Sequence, residues 1–152
     1  MEITKMTPVK EFLKSARKYD FAAENAYQLY AELRSDVLRI TPHYDGVSVK
    51  TGANGADLAN GMARLEEASS KVTICYDRYA DRKGQIAELI AQMGDHPDEM
   101  ECLRLRYLCY RENKNWRLLS WDVIAERMHV SRRQATNIHG KALKIFGELL
   151  RQ

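Results

Sequence analysis

Apolar residues recur along the first forty positions in alternating steps of four and three: Phe12, Ala16, Tyr19, Ala23, Ala26, Tyr30, Leu33, Val37 and Ile40. That is a heptad seam, the pattern of a long helix that buries one stripe against a neighbour. Thr7-Pro8 predicts its start, with Thr as N-cap and Pro at the first helical position, and Thr41-Pro42 its end. A second seam, Leu58, Met62, Leu65, Ser69, Val72, Tyr76, Tyr79, Lys83, Ile86, Ile90 and Met93, breaks only at Ser69 and Lys83. It predicts a helix from near Asp57, with Gly94 as its C-cap. Residues 41–56 between them, rich in Gly, Asn and Pro, read as a connector. They lack the G-x-x-x-x-G-K-[ST] order of a phosphate-cradling loop and follow a helix, not a strand. Two matching helices joined by one loop predict an antiparallel hairpin. The seams pair within the chain or between two chains, and the pattern leaves both open. Tyr19, Tyr27, Tyr30, Tyr76 and Tyr79 are spaced as core residues.

The pattern changes beyond position 94. Pro97-Asp98-Glu99 opens a third helix, its acids suited to the positive helix N-terminus, with Met100, Leu103, Tyr107, Cys109 and Tyr110 as its stripe and Leu105 and Leu108 adding width. A polar loop, 112–119, surrounds Trp116. Ser120 caps a short helix, Trp121 to Met128, and Ser131 caps a last helix from Arg132 towards Leu150. Counting Trp121 as the first of twenty, a small residue, Ala125, stands fifth, and Ile124, Met128, Val130, Ala135 and Ile138 fill positions four, eight, ten, fifteen and eighteen. That is the spacing of a helix-turn-helix, in which two helices cross closely over a small residue. His129 occupies the turn where Gly is commoner, and His tolerates the left-handed region better than most residues.

The last helix carries the chemistry. Arg132, Arg133, Gln134, Thr136 and Asn137 project from its exposed start, and are the residue types that read base edges in the major groove. Ser131, Arg127, Lys141 and Lys144 are placed for phosphate contacts, which set affinity but not sequence. Gly140, inside a helix, calls for a close approach by another helix or backbone. His139 is left with two roles, phosphate contact or packing.

Charge supports this reading by its distribution. The total is +3, but residues 1–100 hold 13 Lys/Arg and 16 Asp/Glu, whereas 101–152 hold 11 and 5. An acidic body precedes a basic end, which fits a polyanion partner for that end. The division expected is a helical hairpin and oligomerisation region at 1–94 and a DNA-binding domain at 95–152. Cys75, Cys102 and Cys109 lack C-x-x-C spacing and sit in apolar patterns, as reduced thiols do. His43, His96 and His129 are too scattered for a metal site. With no nucleophile–base motif, paired carboxylates or cofactor loop, the expectation is a non-enzyme without cofactor or metal. Residues 1–5 show no signal-peptide character, and no stretch approaches the roughly 20 apolar residues of a membrane span. A cytoplasmic, nucleoid-associated protein is expected.

The stretch L-R-L-R-Y-L at 103–108, followed by S-W-D-V-I-A-E-R-M-H-V-S-R-R-Q-A-T-N-I-H-G-K-A-L at 120–143, resembles sigma-70 region 4. With the long helical first half, its G-V-S-V-K-T-G loop and the N-I-H-G-K-A-L ending, the chain is similar to phage and prophage transcriptional regulators of the RinA and ArpU type. The resemblance implies an all-α fold, promoter duplex DNA as partner and contact with RNA polymerase in a bacterial host cell. It does not imply a whole sigma factor, since no module for promoter melting is present. A homodimer through the long helices is the expected assembly. Two other functions fit the same elements: a DNA-recognition subunit of phage packaging, of the small terminase type, and a helical adaptor of RNA polymerase.

Overall fold

The computed structural model describes the backbone of residues 2–40 and 54–152, and the side chains of 7–39 and 57–152. The G-V-S-V-K-T-G loop and Ile40's side chain lie outside the described residues. Every regular element among the described residues is helical: α1 (Glu2–Ile40), α2 (Asn54–Ala91), α3 (Pro97–Leu103), α4 (Trp121–Met128) and α5 (Arg132–Arg151). The long first helix pairs with the second. None of these helices is long and apolar enough to cross a membrane.

α1 begins before the expected start. Thr7 is not its cap, and Pro8 lies inside the helix. Pro8 lacks the N–H that would bond the Thr4 carbonyl, so the helix continues past it at the cost of one hydrogen bond. What holds it is burial of the residues that follow, Val9, Leu13 and Ala16. α2 ends at Ala91, and Gly94 sits in the following turn without a left-handed backbone.

The chain forms two compact units, and the division crosses the long helices instead of falling at 94/95. The first unit spans residues 19–78, and its described part is the C-terminal half of α1 paired with the N-terminal two-thirds of α2. They run antiparallel, with Gly61 under Val37 and the Arg78 guanidinium 5.8 Å from the Tyr19 ring centroid. The α1 seam holds here, since Tyr19, Ala23, Ala26, Tyr30, Leu33 and Val37 are all buried or half-buried. The α2 seam is corrected. Leu58, Leu65, Val72 and Tyr76 are half-buried, but Met62 is 45% exposed and Ser69 is exposed. Gly61 and Ala68, each one residue earlier, are half-buried in their stead, and Cys75 is half-buried beside Tyr76. Small residues let the backbones approach: a Cβ on Gly61 would lie 3.1 Å from Val37 Cγ2. Tyr27, expected in the core, is 46% exposed.

The second unit joins residues 1–18 to 79–152. Its larger core gathers Val9, Leu13 and Ala16 of α1, Ile86, Ile90 and Met93 from the α2 end, Leu103 and Tyr107, and Ala142, Leu143 and Phe146 of α5. Lys83, the other break in the second seam, is exposed, while Arg82 is half-buried over the Phe12 ring at 4.5 Å and bonds Ser15 Oγ at 2.8 Å. A smaller core, Leu105, Leu119, Ile124, Ala125 and Ala135, lies within the helix-turn-helix. The third helix does not continue as an α-helix. Arg104–Leu108 form a π-helical turn and Tyr110–Glu112 a 3₁₀ turn. The wider π turn sends Leu103 and Tyr107 into one core and Leu105 into the other.

Candidate nucleic-acid interface

Three local devices build the helix-turn-helix. Ser120 Oγ accepts from Val123 N at 3.4 Å and starts α4. His129 ends it in the left-handed region (φ 57°, ψ 40°), and the Val130 N–H closes back on the Ala125 carbonyl at 3.0 Å. Ser131 then starts α5 with a capping box: its Oγ accepts from Gln134 N at 3.1 Å, and Gln134 Oε1 accepts from Ser131 N at 2.9 Å. Ile124, Ala125 and Ala135 are buried, and Met128, Val130 and Ile138 half-buried. Ala125 leaves the space in which α4 crosses α5.

All nine polar residues singled out from the sequence are exposed: Arg127, Ser131, Arg132, Arg133, Gln134, Thr136, Asn137, Lys141 and Lys144. They are not equally free to bind. Arg132 lies 3.6 Å from Asp122, and Arg127 pairs with Glu112. Exposed pairs of this kind are weak and exchange readily for a phosphate. Gln134 has its side-chain oxygen committed to the cap, so a bidentate bond to adenine, which needs both Oε1 and Nε2, competes with the start of its own helix. Thr136 Oγ1 donates to the Arg133 carbonyl at 2.9 Å and keeps its lone pairs for accepting. Arg133, Asn137 and Lys141 enter no side-chain hydrogen bond or ion pair among the described residues.

His139 and Gly140 take other roles than phosphate contact and close approach. The His139 side chain is buried, its Nε2 2.8 Å from Tyr107 Oη and its ring edge-on to Trp121 at 4.7 Å. Burial first, then the charges of Lys10, Arg106 and Lys14, lower its pKa to about 4. Burial also raises the Tyr107 hydroxyl to about 12, so the pair is neutral. A Cβ on Gly140 would meet nothing within 4 Å. The close approach is one helical stretch later, where a Cβ on Gly147 would lie 3.2 Å from Val9 Cγ2.

Sequence reasoning missed Arg106. Its guanidinium lies 4.8 Å from the Trp121 ring centroid and donates to the Leu119 carbonyl, fastening α4 to the π turn. Its neighbours in sequence are the L-R-L-R-Y-L stretch, but its role depends on contacts 13 and 15 residues away. Also unforeseen is Trp116, at φ 52°, whose ring meets Tyr110 at a tilt, 6.2 Å between centroids, and whose carbonyl accepts from Arg17 Nε at 2.5 Å. Burial raises the Cys102 thiol to about 11 and also raises that of Cys109. Among the described residues no group of His, Cys, Asp and Glu is arranged to hold a metal. Comparison with family models, curated proteins and solved structures finds no match.

Proposed function

We propose that this protein is a sequence-specific duplex DNA-binding transcription regulator, of the phage and prophage type and without catalytic activity. What carries the reading is the capped α5, whose first three turns present Arg132, Arg133, Gln134, Thr136 and Asn137 to solvent while Ala135, Ile138 and His139 pack inward. A helix held this way enters the major groove with its N-terminal residues at the base edges. Arg133 and Asn137 are its main readers, because neither needs to leave a partner. Arg127, Lys141, Lys144 and the Ser131 end of the helix bind the flanking phosphates. RNA polymerase is the further partner that a regulator of this type meets on promoter DNA.

The test is selection of genomic fragments by the full-length protein, followed by footprinting. A protected site of defined sequence is expected, and Arg132→Ala with Arg133→Ala abolishes its preference over random duplex. Unchanged site-specific binding by that variant overturns the assignment.

A homodimer through the long helices has its own support. Ala26, Leu29 and Leu33 of α1 and Ala68 of α2 line a groove edged by Glu32 and Asp36 of α1 and Arg64, Glu67 and Lys71 of α2. Leu29 is 61% exposed there. Lys71 is paired along α2 with Glu67 at 3.4 Å, so it is the apolar floor of the groove that a second copy related by a two-fold axis would cover.

A further inference from the structure

The two arginines that open α5 stand in different surroundings. Arg133 enters no side-chain hydrogen bond or ion pair among the described residues. Arg132 pairs with Asp122 of α4, its Nη1 3.6 Å from Asp122 Oδ1. Both side chains are largely exposed, at 67% and 75%, so the pair lies on open surface. Asp122 is in the first turn of α4, and Arg132 is the first residue of α5. The Arg132 guanidinium therefore reaches back from its own helix to the start of α4. In a helix-turn-helix that is the helix that crosses the DNA backbone while its partner enters the major groove.

An arginine finds two kinds of acceptor on duplex DNA: the anionic phosphates, and the N7 and O6 of guanine, which carry no net charge. The Asp122 carboxylate discriminates between them. The ion pair itself is weak and gives way, but its acid stays in place when the pair opens. The aspartate side chain is short, and the positive start of α4 favours a negative charge in its first turn. A phosphate that took the Arg132 guanidinium would lie beside that carboxylate, and like charges so placed repel one another. A guanine edge meets no such repulsion. α4 carries a second acid, Glu126, one turn later, exposed and without an ion pair among the described residues. It bears the same charge but does not pair with Arg132.

We infer that Asp122 is a specificity-determining residue, which withholds Arg132 from the DNA backbone and leaves it for a guanine edge. This rests on the proposed DNA-binding reading. Asp122 is a positioning residue: it acts through Arg132 and makes no DNA contact of its own. Its effect falls on duplexes that offer Arg132 only a phosphate, so it weakens binding to unrelated sequence more than binding to the site.

The experiment measures full-length protein binding to a fluorescent, mixed-sequence duplex of roughly 25 base pairs by anisotropy, across about 50–300 mM salt. Asp122→Asn frees Arg132 to neutralise one phosphate, and is expected to steepen the slope of log K against log salt by about 0.9. The preference of this variant for the footprinted site over the mixed sequence falls, because unrelated sequence gains a contact that the site does not use. Asn has the shape of Asp and the position is exposed, so helical circular dichroism is unchanged. Asp122→Glu keeps the acid and the wild-type slope. Glu126→Gln removes the same charge from α4 and also keeps the wild-type slope. In an Arg132→Ala background, adding Asp122→Asn leaves the slope where it was. A wild-type slope in Asp122→Asn, or an equal steepening in Glu126→Gln or without Arg132, overturns the role of Asp122 and leaves the helix-turn-helix reading standing. No binding of the duplex by wild-type protein at the lowest salt overturns both.

Discussion

Replacing His139 by Gln tests the packing of α5 from inside. The ring is 8% exposed, faces Trp121 and Tyr107, and has its pKa lowered to about 4 by burial and by Lys10, Arg106 and Lys14. In the unfolded chain His titrates near its ordinary value of about 6.5. The sign follows from which state binds the proton. Between these values the unfolded chain is protonated and the folded one is not, so stability is present in full above about pH 6.5 and is lost as pH falls towards 4. The whole difference corresponds to about 3 kcal/mol, of which about 2 kcal/mol is lost between about pH 7.5 and pH 5. Urea unfolding at these two pH values, followed by circular dichroism, measures it. Gln keeps an amide to partner Tyr107 Oη but has no proton to gain. The variant is therefore less stable than wild type at pH 7.5, by the packing it loses, while its stability falls less with acid. Wild type and variant falling in parallel would refute a neutral, buried His139. Carboxylate protonation is common to both and cancels in the comparison.

The glycines of α5 give a paired expectation. Gly140→Ala, with open space at its Cβ, raises stability by about 1 kcal/mol in thermal unfolding, and a destabilised variant would show that a neighbour is there after all. Ala125→Leu forces a larger side chain between α4 and α5 and is expected to cost about 1–3 kcal/mol in urea unfolding and to weaken duplex binding; unchanged stability would refute the crossing at that residue. Leu29→Glu, on the exposed groove of the hairpin, is expected to leave helix content unchanged and to convert a dimer to a monomer in sedimentation analysis. Identical sedimentation of wild type and variant would refute pairing through that groove.

The π turn at Arg104–Leu108 ties these expectations together. By placing Tyr107 on His139 and Leu105 under Ile124, it couples the large core to the helix-turn-helix. Arg106 in the same turn fastens the 119–121 end of the loop, and Arg17 of α1 holds the loop at Trp116. α5 is thus set from three sides by residues that do not themselves face solvent at its polar surface.

Much of this was legible in the chain because it is decided within a few residues. The caps at Ser120 and Ser131, the left-handed His129 and the small Ala125 depend on backbone groups three to five positions away, so the bounds of α4 and the start of α5 follow from local chemistry. The exposed polar set on α5 follows from the same period. Partners distant in sequence decided the rest. A heptad count cannot tell which of two adjacent positions turns inward: on α2 Gly61 and Ala68 are half-buried where Met62 and Ser69 are exposed, and at Gly61 the missing side chain admits Val37 of α1. Helical period alone could not place His139 against Tyr107 or move the close approach from Gly140 to Gly147, since both depend on elements more than thirty residues away. Nor does charge counted along the chain reveal that residues 1–18 belong with the basic end, because packing of Val9 and Leu13 on Phe146 and its neighbours, not sequence proximity, makes them one unit.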